Sequence, residues 1–251
     1  MDHRRFRDVT MSLPAVPVPR DALAARYAAI WDDAAPAVRA GDVALDPWAA
    51  RKHADERRGL TLLARPAPEL RQRLHDALGA LREAEPEQYF QPPSDIHLTV
   101  LSPFSATTEH APHVARLPDY QAAVAEALAE VPAFAVDIEG ITLSAGAVLA
   151  QGFPRDGTLE HARDRLRAAL DARGVGGGVD QRYRLVTAHL TLVRFAAPLR
   201  RPAHFVDLLA SARRQVFGTM EIDRLELVMS DFYQTAGRTE TVGTYPLHPL
   251  S

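Results

Sequence analysis

The apolar positions of this chain fall into two periods, one of strands and one of helices. From Gly59, the run GLTLLARP predicts a short apolar strand, and PELRQRLHDALGALRE returns Leu70, Leu74, Leu78 and Leu81 to one stripe at helical spacing. DIHLTVLSPF alternates as a strand does, DYQAAVAEALAEV places Tyr120, Val124 and Leu128 on one side of a helix, and a further strand is expected over residues 134–139. Thr142 to Gly146 is expected to turn the chain. The same order of elements then repeats: strand AVLAQGFP, helix TLEHARDRLRAALDAR with Leu159, Ala162, Leu166 and Ala169 aligned, and strand VTAHLTLVRF. Helix HFVDLLASARRQ and strands around MEIDRLELVMSDFY and TETVGTYPL close the sequence. Upstream, Asp21 is expected to cap a helix through Ala24, Tyr27, Ile30 and Trp31 that ends near Pro36.

This order predicts an N-terminal helical extension over residues 1–56, followed by a domain over residues 57–251 whose two lobes, 57–146 and 147–251, are a duplication. The two copies share a tripeptide. His97-Leu98-Thr99 and His189-Leu190-Thr191 both lie on predicted strands, where His and Thr point one way and the flanking apolar residues the other. With ten histidines in the chain, one His-x-Ser/Thr-apolar tetrad is expected by chance at about the half-per-chain level, so a single copy would mean little; two matched copies on strands are far rarer. A pseudo-twofold between the lobes would bring both histidines to the middle.

Composition narrows the chemistry. A chain of 251 residues, 47% hydrophobic, buries a full core and is expected to be soluble and globular. The net charge of -3 and pI near 6.4 imply no overall attraction to long duplex nucleic acid or to an anionic membrane, while a small anionic substrate is compatible. The absence of cysteine removes disulfides, thiolate metal sites and cysteine nucleophiles. The N-terminal stretch lacks the apolar core of a signal peptide, and no run approaches the roughly 20 apolar residues of a membrane span. A cytoplasmic monomer is expected.

On IHLTVLSPF and HLTLVRF the chain resembles the two-histidine (2H) phosphoesterase superfamily, which includes RNA 2',3'-cyclic phosphodiesterases often labelled 2'-5' RNA ligases. The resemblance covers roughly residues 59–249. It extends to Arg194 after the second motif and to Ser230 with the terminal TYPL. The first motif departs after its fourth residue, where family members often have Phe-Leu-Gly, and Ala188 stands where many have Pro. The resemblance implies an α+β, bilobal fold with two largely antiparallel sheets around a central groove and helices on the outside. It also implies a small nucleotide or RNA end as substrate, with His97 and His189 catalytic.

Opening a cyclic phosphodiester requires one group to take a proton from water and another, across phosphorus, to protonate the departing sugar oxygen; paired imidazoles suit both roles and predict a bell-shaped pH profile. Thr99 and Thr191 would hold the non-bridging oxygens, so neither a cofactor nor a metal is expected. His189 is assigned as base and His97 as acid, although the residues leave the opposite assignment open. Two alternatives share the fold: a non-catalytic nucleotide or RNA-end binding module, and a sugar mutarotase-like acid/base enzyme.

Other residues carry plainer readings beside functional ones. Asp95 could orient the His97 ring or cap a turn. Simple alternation puts Arg194 on the face opposite Thr191, so a place in the groove requires a bend or strand end. Tyr245 and Phe153 could stack on a base, yet strand aromatics mostly fill cores. Arg163, Arg165 and Arg167, interspersed with Glu160 and Asp164, read as a solvated helix face, and the glycines at 174 and 176–178 as a helix C-cap and loop. No HExxH or similar metal spacing occurs.

Overall fold

The computed structural model describes residues 18–181 and 184–249. Its elements follow the two periods of the sequence: α1 (Arg20–Arg39), β1 (Arg58–Ala64), α2 (Pro68–Asp76), α3 (Gly79–Ala84), β2 (Tyr89–Phe90), β3 (Leu98–Thr107), α4 (Ala111–Val114), α5 (Leu117–Leu128), β4 (Phe134–Ser144), β5 (Ala147–Pro154), α6 (Thr158–Ala172), β6 (Leu190–Arg194), α7 (Pro202–Ser211), β7 (Val216–Ile222), β8 (Arg224–Ser230) and β9 (Glu240–Pro246). The expected α+β class is the one found. The stripe from Leu70 to Leu81 is divided between α2 and α3, and all four leucines are nonetheless buried.

The strands form one path, β7-β4-β5-β6-β3-β1-β8-β9, with β2 attached to β6, and every named pair is antiparallel. Two four-stranded halves meet where β3 and β6 share a single bridging pair, Leu98 with Leu190. The groove is therefore centred on the two histidine motifs. The halves are not sequential, however. β4 and β5 pair across residues 145–146, and β8 and β9 return to β1, so each half draws on both sides of the expected lobe boundary at 146/147. A hairpin is the shortest way to satisfy two neighbouring apolar strands, and that local pairing outranks the internal repeat.

α1 is part of this body. It starts at Pro19 without a side-chain cap, leaving Asp21 in the first turn, where its charge suits the positive end of the helix. It also runs through Pro36 to Arg39 instead of ending there. Proline forfeits one helical hydrogen bond. Burial of Trp31, Ala34 and Val38 in the main core offsets the loss. Tyr27 reaches from α1 behind the second motif, its hydroxyl donating to the Gly152 carbonyl and receiving the Ala188 N–H, each at 3.2 Å. Gly152 is required there, because a Cβ would stand 1.9 Å from the Ala188 carbonyl oxygen. Asp46 also accepts the Tyr233 hydroxyl at 2.8 Å, so residues 18–56 brace both halves of the sheet.

Candidate active site

A cleft of roughly 300 Å³ opens over the β3–β6 junction, and both histidines and both threonines line it with Arg194. The register explains why. With Leu98 opposite Leu190, antiparallel pairing puts His97 across from Thr191 and Thr99 across from His189, all four on the face opposite the two leucines. Each imidazole thus lies beside the other motif's hydroxyl. The leucines are fully buried beneath, which fixes the face the polar groups must take.

Strand irregularities bring in more residues. On β6, Leu149 pairs with Thr191 but Val148 pairs with Val193, so Leu192 is an extra residue in a bulge. The bulge turns both Leu192 and Val193 into the core and returns Arg194 to the cleft side. This supplies the bend that simple alternation lacked. The Arg194 guanidinium carbon sits 4.5 Å from the centre of the Phe232 ring. β3 repeats the device: Leu63 pairs with Thr99 and Leu62 with Leu101, leaving Val100 as the extra residue and directing Ser102 to the cleft. Ser102 therefore holds in the first motif the place that Arg194 holds in the second.

Each ring is oriented from behind. His97 Nδ1 lies 2.7 Å from the Asp95 carbonyl oxygen, which can only accept, so Nδ1 carries a proton and Nε2 is left for the cleft. The Asp95 carboxylate is not the orienting group; it accepts from Ser94 Oγ at 2.7 Å and from the Ala236 N–H at 3.1 Å, tying the turn before β3 to the turn after β8. His189 Nδ1 lies 2.8 Å from Thr187 Oγ1, a hydroxyl that can give or take a proton. Burial pushes both imidazoles down to about 4, with Arg65 and Arg194 adding to the shift at His97, and Arg163, His97 and Arg194 at His189. The Asp95 carbonyl is the main influence pulling His97 back toward the charged form.

That depression makes stability pH-dependent. Both rings are neutral in the folded cleft down to about pH 4, whereas unfolded histidines charge near 6.5, so the unfolded chain binds more protons between those values. Urea unfolding midpoints are expected to hold above pH 6.5 and fall as pH drops toward 4. The fall should be smaller in a His97→Asn/His189→Asn variant; an unchanged slope would show that these rings are not the groups responsible.

Behind the cleft lies a residue the charge pattern misplaces. Arg163 is 1% exposed, not on a solvated face. Its guanidinium donates to the carbonyls of Val100 at 2.9 Å, Thr99 at 3.2 Å and Thr187 at 2.8 Å, tying β3 to the segment that enters β6. Burial lowers its pKa to about 10, which leaves it charged at neutral pH. The available signal was positional, since Arg163 follows Leu159 by four residues and precedes Leu166 by three on the apolar stripe. Arg165 is partly exposed and donates to the Ala127 carbonyl, whereas Arg167, its side chain 14% exposed, pairs with Asp180, which lines the cleft, and with Asp164.

Two expected cleft residues lie elsewhere. Phe153 packs edge-on against Tyr27, ring centres 5.5 Å apart, with the Arg20 guanidinium over its outer side. Tyr245 lies on β9 opposite Leu225, its hydroxyl donating to the Gln121 carbonyl at 3.3 Å. Both serve packing, the ordinary fate of strand aromatics. Ser230 is buried against Asp231 and Thr239. Gly174 takes φ +65 after α6, the expected helix C-cap, and the following glycines make a tight turn. Conversely, the cleft includes Thr61, Gln91, Ser102, Asp231, Phe232 and Gln234, for which no motif gave notice. Among the described residues no group of three or more His, Asp or Glu stands close enough to hold a metal ion, and no helix is long and apolar enough to cross a membrane.

No family model and no curated relative matches the chain. Solved structures do. TT0787 of Thermus thermophilus is 20% identical, with a TM-score of 0.56, over 77% of this chain and 100% of its own. E. coli LigT complexed with 3'-AMP is 17% identical, with a TM-score of 0.50, over 76% of this chain and 98% of its own. The likeness is one of fold, and this chain spans essentially the whole of both proteins.

Proposed function

We propose that the chain is a two-histidine phosphoesterase that opens 2',3'-cyclic phosphates of nucleotides or RNA ends. The observation that carries this reading is the antiparallel crossing of the two motifs, which sets two imidazoles and two hydroxyls around one point on the cleft floor. The fold shared with E. coli LigT, a protein crystallised with 3'-AMP, supports it.

A phosphate seated there has one imidazole on either side. His189 Nε2 removes a proton from water as its oxygen bonds to phosphorus, while His97 delivers the Nε2 proton of its imidazolium to the departing 2' or 3' oxygen. One P–O bond forms, one breaks, and the products are a phosphomonoester and a free hydroxyl. His97 takes the acid role because the Asp95 carbonyl, accepting from Nδ1, favours the protonated ring and leaves its Nε2 proton toward the cleft. His189 is the better base because Thr187 imposes no such preference. Thr99 and Thr191 donate to the non-bridging oxygens, and Arg194 offsets the charge that gathers there. The anion itself raises the proton affinity of the neighbouring rings, reversing part of the shift that burial imposes in the empty cleft. In ligation the two histidines exchange roles.

The test is phosphorus NMR of 2',3'-cyclic nucleotides incubated with the wild-type protein in EDTA. Conversion to one phosphomonoester isomer is expected. Binding without conversion by the folded protein would instead favour the non-catalytic module.

A further inference from the structure

Beyond the histidines, the cleft contains a second polar cluster. Gln234, in the turn after β8, is 7% exposed and donates from Nε2 to Thr61 Oγ1 at 3.2 Å. Thr61 Oγ1 lies 3.3 Å from Ser102 Oγ, and all three residues line the cleft. The Gln234 carbonyl oxygen, Oε1, is buried and has no hydrogen-bond partner among the described residues. A buried carboxamide oxygen left unpaired has lost its water without gaining a partner, so a protein that keeps one beside a cleft gains when a ligand supplies the donor.

The backbone shows that this placement is imposed. Gln234 sits at φ +57, a conformation that non-glycine residues rarely adopt. The surrounding turn holds it there: Asp231 Oδ1 accepts the N–H groups of Tyr233 and Thr235, each at 3.0 Å. Gln91 Nε2 clasps the Tyr233 carbonyl at 2.7 Å, and the Tyr233 hydroxyl is anchored on Asp46. Strain retained by so many bonds is a reason to look for a role at the strained residue.

We propose that Gln234, positioned by Thr61 and Ser102, is a specificity residue that accepts a hydrogen bond from the exocyclic amino group of a nucleobase, so that the cleft prefers adenine and cytosine to their keto counterparts. This rests on the nucleotide reading of the histidine site and deepens it. The span fits: Ser102 lies beyond Thr99 on β3 by about 7 Å along the strand once the bulge at Val100 is allowed for, a distance within a nucleoside's reach when its phosphate lies at the histidines. The divergence of the motifs supports the assignment, since the position that gives Arg194 to phosphate chemistry in one strand gives a neutral hydroxyl, Ser102, in the other. A polar group placed to pair with one substrate atom discriminates strongly against an analogue that lacks it.

The experiment measures dissociation constants of 3'-AMP against 3'-IMP, and of 3'-CMP against 3'-UMP, each pair differing at the base by amino against keto. The wild type is expected to bind the amino member at least about tenfold more tightly in each pair. Gln234→Leu should bring both ratios near one, whereas Gln234→Glu, which keeps the acceptor, should preserve them. Should the leucine variant fail to fold, the wild-type ratios and the glutamate variant still decide. Equal affinities, or a preference for the keto bases, would overturn the assignment. Turnover of all four cyclic nucleotides alike would leave the phosphodiesterase standing and remove only the base preference. Amino preference without turnover would do the reverse. Failure to bind any of the four monophosphates, together with no turnover of the cyclic nucleotides, would remove both.

Discussion

Replacing His97 or His189 with alanine is expected to lower kcat for a 2',3'-cyclic nucleotide by about 10³-fold in either case, the range for loss of a positioned acid or base. The double variant should be little worse than either single one, because an acid and a base that act on one displacement fail as a unit. Thr99→Val and Thr191→Val should each cost less, about 10²-fold, since each removes one donor to the phosphate and leaves proton transfer intact. Circular dichroism and urea midpoints at pH 7 should be nearly unchanged in the histidine variants, because neither ring is paired to a buried charge. Retention of more than a tenth of wild-type kcat by either histidine variant would remove that residue from the mechanism.

The second large effect is on stability. Arg163→Met is expected to destabilise the protein by about 4 kcal/mol in urea unfolding, among the larger costs of a single substitution. Methionine fills much of the volume but leaves the carbonyls of Thr99, Val100 and Thr187 without their donor in a site sealed from water. Arg163→Lys keeps the charge and loses the fork that reaches β3 and the segment entering β6 at once, so it should recover only part of the difference. On a solvated helix face, either substitution would change stability by less than about 0.5 kcal/mol, so the measurement separates the two placements. The same variant should weaken catalysis, since Arg163 fixes the backbone at Thr99 and just ahead of His189.

The two placements show where local pattern is a safe guide. On α6 the alternation of acidic and basic residues suggests solvent, yet the 3.6-residue period assigns Arg163 to the buried stripe with Leu159, Ala162, Leu166 and Leu170. Burial of an arginine is costly unless several acceptors meet it, and only strands distant in sequence supply them. Arg194 is the complementary case. Its face depends on the bulge at Leu192, and a bulge is set by pairing with β5, a partner that the letters of β6 do not name. Phe153 and Tyr245 show the cost of reading aromatics by chemistry alone: the first is claimed by Tyr27 of α1, the second by packing against α5.

By itself the sequence determined the α+β class, nearly all the helices and strands, and the two His-x-Thr strands with their polar and apolar faces. Those features depend on periods of two and of 3.6 residues, which are local properties of the backbone. Only the tertiary structure decided that the sheet halves interleave, that α1 braces the second motif through Tyr27, and that bulges return Arg194 and Ser102 to the cleft. The same holds for Gln234, forced into the left-handed region by a turn whose anchors come from three separate parts of the chain. Strand order, register shifts and buried polar partners are contacts between residues far apart in sequence, and a hydrogen bond or bulge between two strands has no meaning until both are in place.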